Sequence, residues 1–344
     1  MILNKIVLHN FRNFDKGEFI FSPTLTVIYG ENAKGKTNLL EAAYCLTHGT
    51  GFRESKEEEL VTIGQTQAKI EGFFINDKTK LNLQIIFNKT KIGLEKKYLI
   101  NKTNKQLSHF QQEGIKSILF SPQQLEIISG PPDERRQYLD KQISFYDQNY
   151  KKKLNNYQNA LRKRNKVLEI YHIEKELVDE LFFWDDYLEE QGAYISQKRT
   201  EYTQFLNDNQ RLDSKSFSIK YEPNLINKKR LREVFEMEKR YRRTIIGPQK
   251  DDFQIYLDKK NIHHFGSRSE HRLGIFWLKI NEIKYYENFF KKRPILLLDD
   301  VFSELDLKNK KLILDLITKY QTILTTAESE VVQLSGLSKR VIKL

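Results

Sequence analysis

Two short stretches far apart in the chain carry side chains suited to the same chemistry. Gly30-Glu31-Asn32-Ala33-Lys34-Gly35-Lys36-Thr37 meets the G-x-x-x-x-G-K-[ST] pattern and follows the apolar run Leu25-Thr26-Val27-Ile28-Tyr29. That context places it where a strand turns into a helix, so that backbone N–H groups can surround a phosphate. Glycine is required at Gly30 and Gly35 because a side chain would block the phosphates. Lys36 brings a point charge to the β- and γ-phosphates, and the Thr37 hydroxyl reaches Mg²⁺. The second stretch, Ile295-Leu296-Leu297-Leu298-Asp299-Asp300, ends in two adjacent carboxylates. Its aliphatic run lacks alternation, as expected of a central parallel strand covered on both faces. Two carboxylates leaving such a strand are costly without a cation or a bound partner. Asp299 is therefore expected to hold Mg²⁺ and Asp300 to face the attacking water of an ATP hydrolysis. The alternative for both aspartates is helix capping.

The elements that must position these groups follow from the pattern around them. Two short strands separated by a turn region from Asn10 to Gly17 lead into the phosphate loop and a helix containing Leu39, Leu40 and Ala42. Alternation over Ala68–Phe74, Leu81–Phe87 and Tyr98–Ile100 predicts an antiparallel meander. From Glu134 to Leu206 there is no proline and one glycine, Gly192. Leu154, Tyr157 and Leu161 mark one helical face and Leu177, Leu181, Trp184 and Leu188 another, which predicts packed antiparallel helices. Further elements are expected at Ser216–Tyr221 (strand), Leu231–Tyr241 (basic helix), Phe253–Leu257 (strand), Leu273–Ile283 (helix), and Ile323–Thr325 and Val341–Leu344 (strands). The resulting fold class is α/β: a nucleotide-binding head with an antiparallel β subdomain and an inserted helical domain. The expected division is residues 1–133 for the first part of the head, 134–246 for the insertion and 247–344 for the returning part.

With 344 residues the chain can bury a substantial core and is long enough for two domains. Lys and Arg total 58 against 46 acidic residues, a formal charge of +12 that favours a polyanionic partner, nucleic acid ahead of an anionic membrane. Basic clusters at Lys151-Lys152-Lys153, Arg162-Lys163-Arg164-Lys166, Lys228-Lys229-Arg230-Arg232 and Lys239-Arg240-Arg242-Arg243 could position a duplex without reading bases, or could be solvated helix faces. The single cysteine, Cys45, excludes an intramolecular disulfide and a cysteine zinc cluster. The polar, strand-like start and the lack of any long apolar run predict a cytoplasmic protein without membrane insertion. His263-His264 and His271 read as packing or surface residues, and Phe182-Phe183-Trp184 and Phe289-Phe290 as core or interface residues.

The chain resembles the RecF family of ABC/SMC-type ATPases along essentially its whole length. The resemblance rests on Leu8-His9-Asn10-Phe11-Arg12-Asn13-Phe14, Thr37-Asn38-Leu39-Leu40-Glu41-Ala42, Arg135-Arg136-Gln137-Tyr138-Leu139-Asp140, Gly247-Pro248 with Asp251-Asp252, and Leu298-Asp299-Asp300-Val301-Phe302-Ser303-Glu304-Leu305-Asp306. It implies an ABC-type head, ATP-driven pairing of two heads at duplex DNA near single-strand gaps, and a nucleoid-associated role in recombinational repair with RecR and RecO as partners. It also implies that Arg12, Asn32 and Asn38 contact nucleotide. Gln123 and Gln124 would connect nucleotide state to the helical domain, and Ser303 and Asp306 would cross the dimer seam or cap the following helix. Thr325 would stand near the γ-phosphate. A signature segment, Gly266-Ser267-Arg268-Ser269-Glu270-His271-Arg272, would meet the γ-phosphate of a second copy through Ser267.

Three positions in two segments depart from the family pattern. Ala33 replaces a glycine of the phosphate loop. Ser269 and Glu270 stand where glycine and glutamine are usual, so Glu270 is expected to oppose an arriving phosphate unless Arg268 and Arg272 compensate it. A weakly hydrolysing, DNA-stimulated ATPase is the leading expectation. The alternatives are an ATP-binding DNA clamp or regulator with little turnover, and a membrane-associated ABC-type motor head.

Overall fold

The computed structural model describes residues 1–53, 56–76, 79–170, 174–301, 307–328 and 338–344. Ser303 and Asp306 lie outside the described residues. The chain divides into a unit formed by residues 1–124 and 279–344 and a second unit formed by residues 125–278.

The first unit is built on two sheets. One is a parallel sheet of five strands in the order Lys339–Lys343, Leu25–Tyr29, Thr322–Thr326, Ile295–Asp299 and Ser117–Phe120. Ile295–Asp299 is buried along its whole length between two neighbours, which is why its sequence is aliphatic up to the closing aspartate and does not alternate. The other sheet is antiparallel, in the order Phe14–Ile20, Ile2–Phe11, Gln67–Ile75, Lys80–Thr90, Gly93–Ile100 and Thr103–Lys105. Its first hairpin turns at Arg12 and Asn13, between the paired Phe11 and Phe14. A register shift between Leu3 and Lys5 changes the phase of the opening strand, so that Leu3 and then Ile6 and Leu8 all point into the core.

The helix Lys36–His48 touches strands of both sheets, and Leu39 through Thr47 are buried without a polar face. Gly72 permits this approach: a Cβ there would stand 2.5 Å from Leu46 Cδ1. The strand Ser117–Phe120 was not among the expected elements. A serine and three apolar residues are too few for periodicity to separate strand from helix.

The second unit contains helices Pro132–Tyr146, Gln148–Ile170, Glu174–Asp208 and Lys228–Tyr241 and a four-stranded sheet in the order Lys260–Asn261, Asp252–Leu257, Lys215–Glu222, Arg211–Leu212. Ion pairs Lys153–Glu190 and Arg164–Asp185 run in opposite senses along Gln148–Ile170 and Glu174–Asp208, so these two helices are antiparallel. Leu168, Leu177 and Leu181 form a small apolar cluster between them.

The expected boundaries at 133/134 and 246/247 differ from the observed division at 124/125 and 278/279. Lys215–Glu222 pairs with Asp252–Leu257 over six residue pairs, and this ladder keeps the returning strand with the helices. The second division falls inside the helix Arg268–Phe290.

Motif residues of this unit form a buried network with Arg199. Arg199 is buried and donates to Asp140 Oδ1 (2.8 Å), Asp251 Oδ2 (2.7 Å) and the Pro248 carbonyl (2.7 Å). Asp251, fully buried, also accepts from the Tyr221 hydroxyl and from Asn224 N at 2.6 Å. Arg135 grips Asp252 with two bonds of 2.6 and 3.0 Å. Removing one member of such a set leaves the others charged and buried, which costs about 3–5 kcal/mol. Arg199→Met is therefore expected to destabilise the second unit by about that amount in urea unfolding. Alanine at exposed Lys152 should stay within about 0.5 kcal/mol, and equal effects would show that the network is not what holds these elements.

Candidate functional site

Four parallel strands end side by side at one edge of the five-stranded sheet, where loops of open α/β sheets bind ligands. The phosphate loop follows Tyr29, the acidic pair closes Ile295–Asp299, Thr325 lies near the end of the strand between them, and Gln123 and Gln124 follow Phe120. Residues far apart in sequence therefore meet because their strands are neighbours.

The loop has the backbone that its glycines allow. Gly35 lies at φ 100°, and a Cβ there would come within 2.6 Å of Asn13 Nδ2. Ala33 takes a left-handed φ of 66° where the family pattern has glycine, so this departure costs some strain but leaves the loop intact. Gly35 precedes the helix Lys36–His48 without a side-chain cap. The first-turn amides are thus left for an anion, and the helix dipole favours one there. The Lys36 ammonium is folded back on the carbonyls of Gly30 (2.8 Å) and Glu31 (2.9 Å), closing the loop around its own charge. Asn32 lies exposed on the loop.

The two residues expected at the metal, Thr37 and Asp299, are brought together. Thr37 Oγ1 donates to Asp299 Oδ1 at 2.9 Å, and Thr325 Oγ1 donates to the same oxygen at 2.8 Å. Burial pushes the Asp299 carboxyl above the usual aspartate range, an effect opposed by the Thr325 and Thr37 hydroxyls and by the charge of Arg53. A buried carboxylate beside a threonine hydroxyl, disfavoured as an anion until a cation arrives, suits a hard divalent ion such as Mg²⁺. Asp300 adopts a left-handed φ of 50°, and its amide donates to Thr325 Oγ1 at 3.0 Å. Thr325 thus bonds the side chain of one aspartate and the backbone of the next.

Arg12 is engaged elsewhere. Its guanidinium makes bonds of 2.9 and 3.2 Å to Glu41 and lies 3.5 Å from Glu59. Glu41 sits fully buried on the phosphate-loop helix and also accepts from Arg53 Nε at 3.1 Å. Burial alone would raise the Glu41 carboxyl, but the bonds and charges of Arg53 and Arg12 outweigh it and hold the group below its ordinary range. Arg53 also donates to Asn38, Asn38 donates to Asn13 at 2.6 Å, and Asn13 donates to the Lys34 carbonyl at 3.3 Å. A chain of side chains therefore runs from the buried carboxylate to the phosphate loop. Arg53 and Glu41 were not among the expected site residues. The available signal was a glutamate on a helix whose neighbours are all apolar, which demands cationic partners.

Gln124 Oε1 accepts from Ser121 N at 3.3 Å, closing the turn after its strand, while Gln123 is exposed. Ser267 belongs to the second unit, where it caps the helix Arg268–Phe290. Its hydroxyl accepts from Glu270 N at 3.3 Å, and its amide donates to Glu270 Oε2 at 2.7 Å. Of the basic clusters, several members are already engaged: Lys153 with Glu190, Arg164 with Asp185 and Glu238, Lys228 with Asp186, and Lys239 with Glu236. Lys152, Lys229, Arg232, Arg240, Arg242 and Arg243 are exposed. Among the described residues, no helix is long and apolar enough to cross a membrane.

Residues 2–343 match the family described as RecF/RecN/SMC N terminal domain. The DNA replication and repair protein RecF of Caldanaerobacter subterraneus subsp. tengcongensis is 34% identical over an alignment of 356 residues, covering 96% of each chain. Its counterpart from Agathobacter rectalis is 32% identical over 338 residues, covering 94% of this chain and 92% of that one. A solved structure described as the recombination mediator protein RecF-ATP in the RecFOR pathway superposes with a TM-score of 0.85 at 30% identity, covering 98% of this chain and 93% of that one. An Smc head domain from Pyrococcus furiosus, at 17% identity and a TM-score of 0.51 over 95% of this chain and 90% of that one, shares the fold.

The Thr325 hydroxyl favours the ionised form of Asp299, so its loss should make the carboxylate harder to ionise. Mg²⁺-dependent ATP affinity should therefore weaken as pH falls, and in Thr325→Val the weakening should set in roughly half to one pH unit higher. Calorimetric titration of both proteins across pH checks this, and superimposable profiles would remove Thr325 from the site.

Proposed function

The chain belongs to the RecF family of ABC/SMC-type ATPases, and from that premise we propose that it is a DNA-repair ATPase whose two copies pair when each holds ATP. The observation that carries this reading is the shared oxygen of Asp299, which receives the hydroxyls of Thr37 and Thr325 beside the phosphate loop. The chain has the RecF type of fold and ATP site, and similar proteins are described as RecF-ATP and RecF-ATPrS in the RecFOR pathway.

In this reading the first-turn amides of Lys36–His48 and the glycine loop take the phosphates, and Asn32, Asn38 and Arg12 border the nucleotide. Lys36 leaves the Gly30 and Glu31 carbonyls for the β- and γ-phosphate oxygens. Thr37 and Asp299 hold Mg²⁺, which supplies charge neutralisation of the phosphates when bound. Asp300 accepts a proton from the water that attacks the γ-phosphorus. The bond to the β–γ bridging oxygen breaks, and ADP and phosphate leave. Ser267 of one copy faces the γ-phosphate held by the other, so assembly follows nucleotide state. Gln123 and Gln124, at the carboxyl edge of the sheet, report that state to the helical unit.

Exposed Lys152, Lys229, Arg232, Arg240, Arg242 and Arg243 offer a phosphate-seeking surface for duplex DNA near single-strand gaps. RecR and RecO are the proposed protein partners, and the nucleoid the proposed place of action. A slow, DNA-stimulated turnover completes the reading.

The separate roles give separate defects. Lys36→Ala should lose most ATP affinity. Asp300→Asn should keep Mg-ATP binding and the ATP-dependent dimer while slowing hydrolysis by roughly a hundredfold or more. Mass measurement without nucleotide, with ADP and with ATP, combined with hydrolysis assays with and without duplex DNA, tests the scheme. A chain that binds ATP, stays monomeric in Asp300→Asn and hydrolyses at an undiminished rate would refute it.

A further inference from the structure

Glu270 is the least expected residue of the signature segment, and the fold gives it a partner ten positions away in sequence. Lys260 Nζ lies 2.7 and 2.8 Å from the two carboxylate oxygens. The lysine side chain is exposed, but it stands on a fixed backbone. Lys260 pairs with Leu257 across Asp258 and Lys259, which both have left-handed φ values, of 46° and 72°. That is the geometry of a tight two-residue hairpin, so the lysine backbone is fixed. The next residue is pinned as well: the Asn261 side chain donates to Gln254 at 2.7 Å and accepts from His263 N at 3.0 Å. The carboxylate is equally constrained, since it takes the Ser267 amide while Ser267 takes the Glu270 amide, a reciprocal capping box. Lys260 and the Ser267 amide together draw the Glu270 carboxyl down to about 2.

Two consequences follow if this segment meets nucleotide. The Ser267 amide, one of the groups that could receive a phosphate oxygen, is already held by the chain's own carboxylate. The negative charge brought by Glu270 is balanced on the spot by Lys260, so the segment presents a neutral pair to the arriving anion. Arg268 and Arg272, the compensating charges suggested by the sequence, are not needed for this balance.

We infer that Lys260 is the fixed counter-charge that allows a carboxylate in the signature of this chain, and that ATP-driven pairing depends on it. The inference rests on the proposed function, in which Ser267 faces the γ-phosphate of a second copy. On pairing, Glu270 gives up the Ser267 amide to that phosphate and stays on Lys260, which acts as a positioning residue without touching nucleotide. The need for Lys260 then exists only because of Glu270.

A mutational cycle tests that dependence. Lys260→Met, Lys260→Arg, Glu270→Gln and the double variant Lys260→Met/Glu270→Gln are compared in an Asp300→Asn chain that does not turn ATP over. The dimer dissociation constant at saturating ATP is read by sedimentation at low and high salt, and ATP affinity of the monomer is read by calorimetry. Lys260→Met should weaken pairing by roughly tenfold at low salt and less at high salt, because it strands the Glu270 charge. Lys260→Arg should pair normally, Glu270→Gln should pair as well as or better than the parent, and the double variant should regain the pairing of Glu270→Gln. ATP affinity of the monomer should be unchanged throughout. If the parent pairs but Lys260→Met pairs equally well, or the double variant stays as weak as Lys260→Met, the counter-charge role is overturned while the trans site survives. A parent that binds ATP without pairing overturns both.

Discussion

The hydroxyl of Thr37 resting on the carboxylate of Asp299 is the contact on which the ATP site depends. The two residues are 262 positions apart, and their bond is 2.9 Å long. Neither a helix nor a hairpin can close such a gap. It closes because Leu25–Tyr29 and Ile295–Asp299 flank the same strand, Thr322–Thr326, in parallel register. Thr325, on that middle strand, bonds the same oxygen of Asp299 and receives the Asp300 amide. Sheet order thus delivers Asp299, Asp300 and the phosphate loop to one edge. Burial disfavours the charged form of Asp299, so a cation bound beside it would favour its ionisation.

A second buried carboxylate, Glu41, supports the loop from behind. It draws Arg12 and Arg53 to the helix that follows the phosphate loop, and Arg53 passes the constraint through Asn38 and Asn13 to Lys34. Arg12, expected at the nucleotide, is engaged there. A nucleotide contact by Arg12 therefore requires it to leave or share Glu41, and Arg53 can keep that carboxylate paired while it does.

The parts legible in the sequence were those whose chemistry is local. The phosphate loop could be read because only certain residues tolerate its backbone. The acidic strand could be read because an unbroken aliphatic run ending in two carboxylates suits a buried central strand that delivers charge to a cation. The capping box of Ser267 and Glu270 is local as well, but the phosphate-facing expectation for that segment left it unread. What could not be read is set by non-local pairing. Ser117–Phe120 is too short to declare itself, although it completes the parallel sheet. The ladder between Lys215–Glu222 and Asp252–Leu257 moved the boundary of the second unit, and no spacing along the chain announces which strands will pair. Glu41 finding two arginines and Glu270 finding Lys260 belong to the same class, since each partner is supplied by the fold.

The most direct measurement of whether residues 37 and 299 form one site is the Mg²⁺-dependent gain in ATP affinity, by calorimetry, for Thr37→Ala, Asp299→Asn and the double variant. If the hydroxyl and the carboxylate hold one ion, each single substitution should remove roughly tenfold or more of that gain, and the double variant should lose little beyond the worse single one. Losses that multiply as independent effects, or a gain that survives Asp299→Asn, would contradict a shared metal site joining the two ends of the chain.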